Sequence, residues 1–162
     1  MLKHFQRLQY ITSDSKNNSL KKEVEKVCKA GVRWIQLRQK HATFEEFMLT
    51  ANQIKEICNN YNAILIINDN VEIAKSIKAD GIHLGKNDMS PVEARKILGE
   101  QAIIGGTANS YTDIEGLIEK KVDYIGLGPY RFTKTKKNLS PILGVTGYTN
   151  IMKQCKSNDI KI

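Results

Sequence analysis

Two acidic side chains, Asp69 and Asp88, each follow an apolar run of strand character. Leu65-Ile66-Ile67 leads to Asn68-Asp69, and Gly81-Ile82-His83-Leu84 leads through Gly85 to Asp88. Between them, Val71 to Ile77 has the spacing of a short helix, with Val71, Ala74 and Ile77 on one face. Strand, helix, strand reads as a parallel pair, whose carboxyl ends lie side by side on the face where α/β proteins bind ligands. Carboxylates brought together there repel unless a cation sits between them. Few, hard oxygen donors suit magnesium completed by substrate phosphates and water. The pattern therefore predicts a magnesium–diphosphate site. The competing reading is that Asp69 starts a turn and Asp88 caps the helix at Pro91.

Other polar residues fall at similar places. In Gln36-Leu37-Arg38-Gln39-Lys40, alternation puts Gln36, Arg38 and Lys40 on one side. Arg38 offers a planar fork to phosphate oxygens and Lys40 a point charge, although a solvated strand end fits as well. Gly105-Gly106-Thr107 offers backbone amides and a hydroxyl suited to an anion, or simply a turn. Tyr130 to Lys137 alternates hydroxyls and cations; it could grip a phosphate, or contact RNA with Tyr130 and Phe132 stacking on bases. The preceding Gly126-Leu127-Gly128-Pro129 favours the metabolite. His83, alone in an apolar strand, reads as a hydrogen-bonded core group, and Trp34 as core. No Ser-His-Asp or Cys-His pattern points to covalent hydrolysis.

The elements that position these residues recur about every 20 to 30 residues, the rhythm of βα units. Strands are expected near Leu8–Ile11, Val32–Leu37, Ala63–Asn68, Gly81–Leu84, Ala102–Ile104 and Val122–Leu127. Helices are expected after each. Thr43 with Glu46, Pro91, and Ser110 mark helix starts, and Gly147 to Cys155 reads as the last helix. Asp159 to Ile162 reads as a seventh strand beginning. Arg38, Lys40, Asn68, Asp69, Asp88, Thr107, Thr133 and Lys136 all fall just after strands, the face on which a (β/α)8 barrel places its chemistry. Such a barrel typically needs at least about 200 residues, so this chain reads as one lacking its last two units.

The 162 residues suggest one domain, 1–162, and a charged fraction of 26% against 41% hydrophobic fits a globular protein in water. No apolar run approaches the roughly 20 residues of a membrane span, and MLKHFQRLQY is too polar for a signal peptide, so the cytoplasm is expected. Cys28, Cys58 and Cys155 are odd in number and widely spaced, which argues for free thiols and against zinc. The net charge of +8 favours anionic partners.

Taken together, QLRQK at 36–40, INDN at 67–70, ADGIHLGKND at 79–88, IIGGTANS at 103–110 and DYIGLGPYRFTKTKKNLSPILG at 123–144 resemble the thiamine-phosphate synthase family, in order and across essentially the whole chain. The resemblance implies an α/β TIM barrel, here about six βα units. It implies a transferase of thiamine biosynthesis that joins hydroxymethylpyrimidine diphosphate to thiazole phosphate, releasing pyrophosphate with magnesium as cofactor. It implies Asp69 and Asp88 as magnesium ligands. Arg38, Lys40 and Lys136 would act on the departing diphosphate, with Asn68 and Thr107 also holding it. Gln36 would contact the pyrimidine, and Thr133 and Thr135 would lie by the thiazole phosphate. The implied partners are small molecules rather than nucleic acid or membrane, and a homodimer stays open. Asn70, Lys86 and Arg131-Phe132 depart from the residues common in the family, and its last two strands have no counterpart before Ile162. Three alternatives follow: an impaired fragment, a non-catalytic binding or regulatory protein of the same fold, and the related thiazole tautomerase branch. Retention of both aspartates disfavours the last.

Overall fold

The structure is a computed structural model that describes residues 7–13, 19–133, 140–155 and 162. Thr135, Lys136 and residues 159–161 of the seventh strand expected over 159–162 lie outside the described residues. Strands and helices alternate: β1 (Tyr10–Ile11), α1 (Ser19–Lys29), β2 (Trp34–Leu37), α2 (Phe44–Asn60), β3 (Ile64–Asn68), α3 (Val71–Ser76), β4 (Gly81–Leu84), α4 (Pro91–Leu98), β5 (Ile103–Ala108), α5 (Tyr111–Glu119), β6 (Tyr124–Leu127) and α6 (Gly144–Gln154). All pairings are parallel and the strands lie in sequence order. The last helix starts three residues earlier than its spacing suggests, at Gly144 rather than Gly147. The Leu143 and Gly144 amides donate to the carbonyls of Pro129 and Tyr130, at 2.9 and 3.1 Å, and so anchor the helix start to the loop after β6.

The sheet is strongly curled. Laid flat, β1 and β6 would stand about 24 Å apart, five spacings of about 4.8 Å. Yet the amide of Gln9, beside β1, donates to the hydroxyl of Tyr124 on β6 at 3.3 Å. Curling gives the sheet two faces with separate cores. Trp34, Ile64, Ile66, Ile103 and Tyr124 pack on the concave side. Ile35, Leu37, Leu65, Ile67, Ile82, Leu84, Ile104 and Ile125 pack outward against the helices. Period-two alternation thus holds from β2 to β6, with both sides buried, which is why these strands read as continuous apolar runs.

Helix starts follow the sequence closely. Thr43 and Glu46 form a capping box at α2, and Ser110 and Asp113 form another at α5. The amino ends of the strands carry a repeated device. Asp80, just before β4, accepts the Leu65 amide at 2.8 Å and pairs with Lys55 at 3.2 Å. Asp123, just before β6, accepts the Ile104 amide at 2.7 Å and pairs with Arg95 at 2.8 Å. Each aspartate ties its own strand to the one before it and to a covering helix, at the end of the sheet opposite the candidate site.

Candidate active site

The carboxyl ends of β2, β3 and β4 bring Lys40, Asp69 and Asp88 together. Strict alternation would turn Asp69 outward, since Asn68 is the inward residue. Instead Asp69 takes φ +64°, the left-handed region that Asp tolerates better than most residues. Its amide donates to the His83 carbonyl at 2.9 Å, which fixes the turn to β4. The turned carboxylate forms an ion pair with the Lys40 ammonium and meets the Asp88 carboxyl. Burial and the hydrogen bond with Asp88 raise the Asp69 carboxyl above the ordinary carboxylate range, while Lys40 pulls the other way.

Asp88 does not cap α4. Ser90 stands at that position and makes no side-chain cap bond. The Asp88 carboxylate folds back over the strand end and accepts the Gly85 amide at 2.6 Å. A side chain at 85 would push it aside, because a Cβ there would lie 2.8 Å from the Asp88 Oδ2. Among the described residues no cluster of three or more His, Cys, Asp and Glu side chains could hold a metal. A metal held here would take protein oxygens from this pair and complete its shell with water or ligand oxygens, a donor set that suits a hard divalent cation.

The other candidates sit lower in the concave face or along its rim. Asn68 ends β3 and is only 8% exposed. Gln36 is 2% exposed and donates to the Gln9 amide oxygen at 3.4 Å. Arg38 follows β2, where the Thr12 hydroxyl accepts its amide at 2.9 Å and donates to its carbonyl at 3.1 Å. Thr107, inward on β5, is bonded to His83 Nε2 at 2.9 Å. Thr133 is half-buried in the loop after β6.

Gly105 and Gly106 are not the bare anion cradle that their types suggested. Both lie within β5 and are buried. A Cβ at 105 would fall 2.1 Å from the Tyr124 ring, and one at 106 would fall 2.5 Å from the Leu117 side chain. They make room for neighbours on the two faces of the sheet.

Sequence reasoning left out Gln9, Thr12 and Tyr124, and read His83 as a hydrogen-bonded core group without naming its partners. His83 Nδ1 lies 3.0 Å from the Tyr124 hydroxyl. What brings them together is the inward register that Tyr124 shares with Gly105 and His83, which only the strand pairing reveals. Lys86, in the β4–α4 loop, pairs at 2.6 Å with Asp113 at the start of α5, which joins two neighbouring rim loops.

A family model described as thiamine monophosphate synthase matches residues 8–162. The chain belongs to the thiamine-phosphate synthase family. It is 48% identical over 155 residues to the thiamine-phosphate synthase of Bacteroides fragilis, covering 96% of this chain and 76% of that one. It is 44% identical over 158 residues to that of Flavobacterium johnsoniae, covering 98% and 74%. Among solved structures, thiamine phosphate pyrophosphorylase from Pyrococcus furiosus matches with a TM-score of 0.79 at 26% identity, covering 94% of this chain and 71% of that one. The curled parallel sheet of this thiamine-phosphate synthase family member is accordingly the TIM-like arrangement of its relatives. No helix among the described residues is long and apolar enough to cross a membrane.

Proposed function

We propose that this chain is a thiamine-phosphate synthase that couples hydroxymethylpyrimidine diphosphate to thiazole phosphate, with Asp69 and Asp88 holding magnesium. The observation that carries the site assignment is the meeting of two carboxylates and the Lys40 ammonium over the ends of β2, β3 and β4. Two carboxylates in contact, one hard to ionise, form a site short of positive charge. Magnesium, when bound, supplies that charge and neutralises diphosphate oxygens.

The protein's own part is electrostatic and positional. In this reading the pyrimidine sits in the concave face beside Gln36, with its diphosphate toward the rim. The bond from the pyrimidine methylene carbon to the diphosphate oxygen breaks, and its electron pair leaves with the diphosphate. Arg38 and Lys40 meet the growing negative charge, and Asn68 and Thr107 donate hydrogen bonds to it. Lys136 is assigned the same task on the strength of the family motif. The thiazole nitrogen then forms the new carbon–nitrogen bond, and Thr133 and Thr135 are assigned to its phosphate. Holding the partners in line replaces any need for a protein nucleophile.

The test mixes the chain with both substrates and magnesium and measures thiamine phosphate by thiochrome fluorescence. Product is expected with the wild type, with strong losses on adding a chelator and in D69N and D88N. Absence of product from the wild type under saturating substrates would overturn the reading.

A further inference from the structure

Within the proposed synthase reading, we infer that His83 is a positioning residue: Tyr124 holds it as the Nε2–H tautomer, and His83 in turn orients the Thr107 hydroxyl to donate its proton to an anionic oxygen at the strand ends.

The argument follows the donors. The side-chain amides of Gln9 and Gln36 both donate to the Tyr124 oxygen. Burial pushes the Tyr124 hydroxyl well above its ordinary value, so the phenol keeps its proton. With two donors on its oxygen, Tyr124 has one proton to give, and His83 Nδ1 stands 3.0 Å away. An Nδ1 that accepts leaves the hydrogen of a neutral imidazole on Nε2. His83 Nε2 is 2.9 Å from Thr107 Oγ1, so the imidazole donates there. A hydroxyl that accepts from His83 turns its own hydrogen toward another acceptor. The hydrogen bonds therefore all run one way, from Gln9 and Gln36 through Tyr124 and His83 to Thr107. Bonds in such a chain polarise one another.

The sheet is built to permit this. His83 on β4 and Tyr124 on β6 are both in register with Gly105 on the strand between them. Any side chain at 105 would enter the Tyr124 ring. Gly126, next inward on β6, leaves space for the imidazole, because a Cβ there would stand 3.0 Å from His83 Cε1. Two missing side chains let the phenol and the imidazole touch across an intervening strand.

The test has two independent parts. Nitrogen-15 NMR of the unliganded chain, with histidine labelled, should show His83 Nε2 protonated and Nδ1 bare, and in Y124F that preference should weaken or reverse. Finding Nδ1 protonated and Nε2 bare in the wild type would overturn the inference. The second part is calorimetric binding of inorganic pyrophosphate with magnesium. T107V and H83F should each weaken binding about tenfold, the scale of one hydrogen bond to a charged group. The double variant should be no weaker than either alone, whereas H83Q, which keeps an amide donor, should recover part of the loss. Losses that multiply in the double variant would mark His83 as merely structural and overturn the inference. A wild type that binds no pyrophosphate would overturn the synthase reading instead; the tautomer, read without ligand, would still decide this one.

Discussion

Replacing Gly105 by alanine places one methyl group at the point where β5 separates His83 from Tyr124. The new Cβ would lie 2.1 Å from Tyr124 Cζ, 2.3 Å from Cε1 and 2.5 Å from the hydroxyl oxygen. Ordinary carbon–carbon contact is about 3.5 to 4.0 Å, so the ring must retreat by more than an ångström. It has little room to do so. Trp34 packs edge-on against it with ring centroids 4.9 Å apart, and its hydroxyl is tied to Gln9 and His83. Overpacking of this kind costs about 1–3 kcal/mol, and a displaced buried hydrogen bond adds about 1 kcal/mol. A combined loss of about 3 kcal/mol lowers the melting temperature by roughly 6–12 °C in a protein of this size. Circular dichroism melts of wild type and G105A give the number directly. Combining G105A with Y124L, which removes the obstructing ring, should cost less than the sum of the single losses, because the two residues share one space. A G105A melt within about 2 °C of wild type would refute the close packing described here.

Four further outcomes follow from the same geometry. D69N should raise the melting temperature of the ligand-free protein, because it removes a charge that burial and Asp88 disfavour, while weakening magnesium-dependent pyrophosphate binding by at least about thirtyfold in calorimetry. The sign also fixes a pH dependence: since the folded-state value lies above the ordinary 3.8, the folded chain takes up the proton first, and the Asp69 contribution to stability rises as pH falls from neutrality toward that value. Denaturant titrations across that range should show the rise in wild type relative to D69N. D123A, which leaves the Ile104 amide and Arg95 without their acceptor, should cost about 2 kcal/mol in the same titrations without altering pyrophosphate affinity. K40M should weaken pyrophosphate binding by roughly tenfold or more, with a smaller dependence on salt than wild type.

The architecture was legible because the central strands are buried on both faces and several helices open on a capping signal. Thr43 with Glu46 and Ser110 with Asp113 announce α2 and α5 outright. The convergence of Asp69 and Asp88 was legible from their shared place after neighbouring strands. The manner of convergence was not, because the left-handed turn at Asp69 breaks the alternation from which side-chain direction is read. The Tyr124–His83–Thr107 chain was invisible for a different reason. It needs the register of three strands and the curl of the sheet, and neither can be read from one strand at a time. Gly105 and Gly106 misled because glycine marks close approach without saying whether a ligand or a neighbouring side chain approaches.

Asp80 and Asp123 fasten the rim opposite the one where Lys40, Asp69 and Asp88 gather. The molecule thereby divides its labour between poles. One pole is bolted by ion pairs to backbone and helix, and at the other, open pole the ion pairs Lys40–Asp69 and Lys86–Asp113 join loop to loop. A lineage could rework what this protein recognises at the open pole while the fastened pole keeps the sheet in shape.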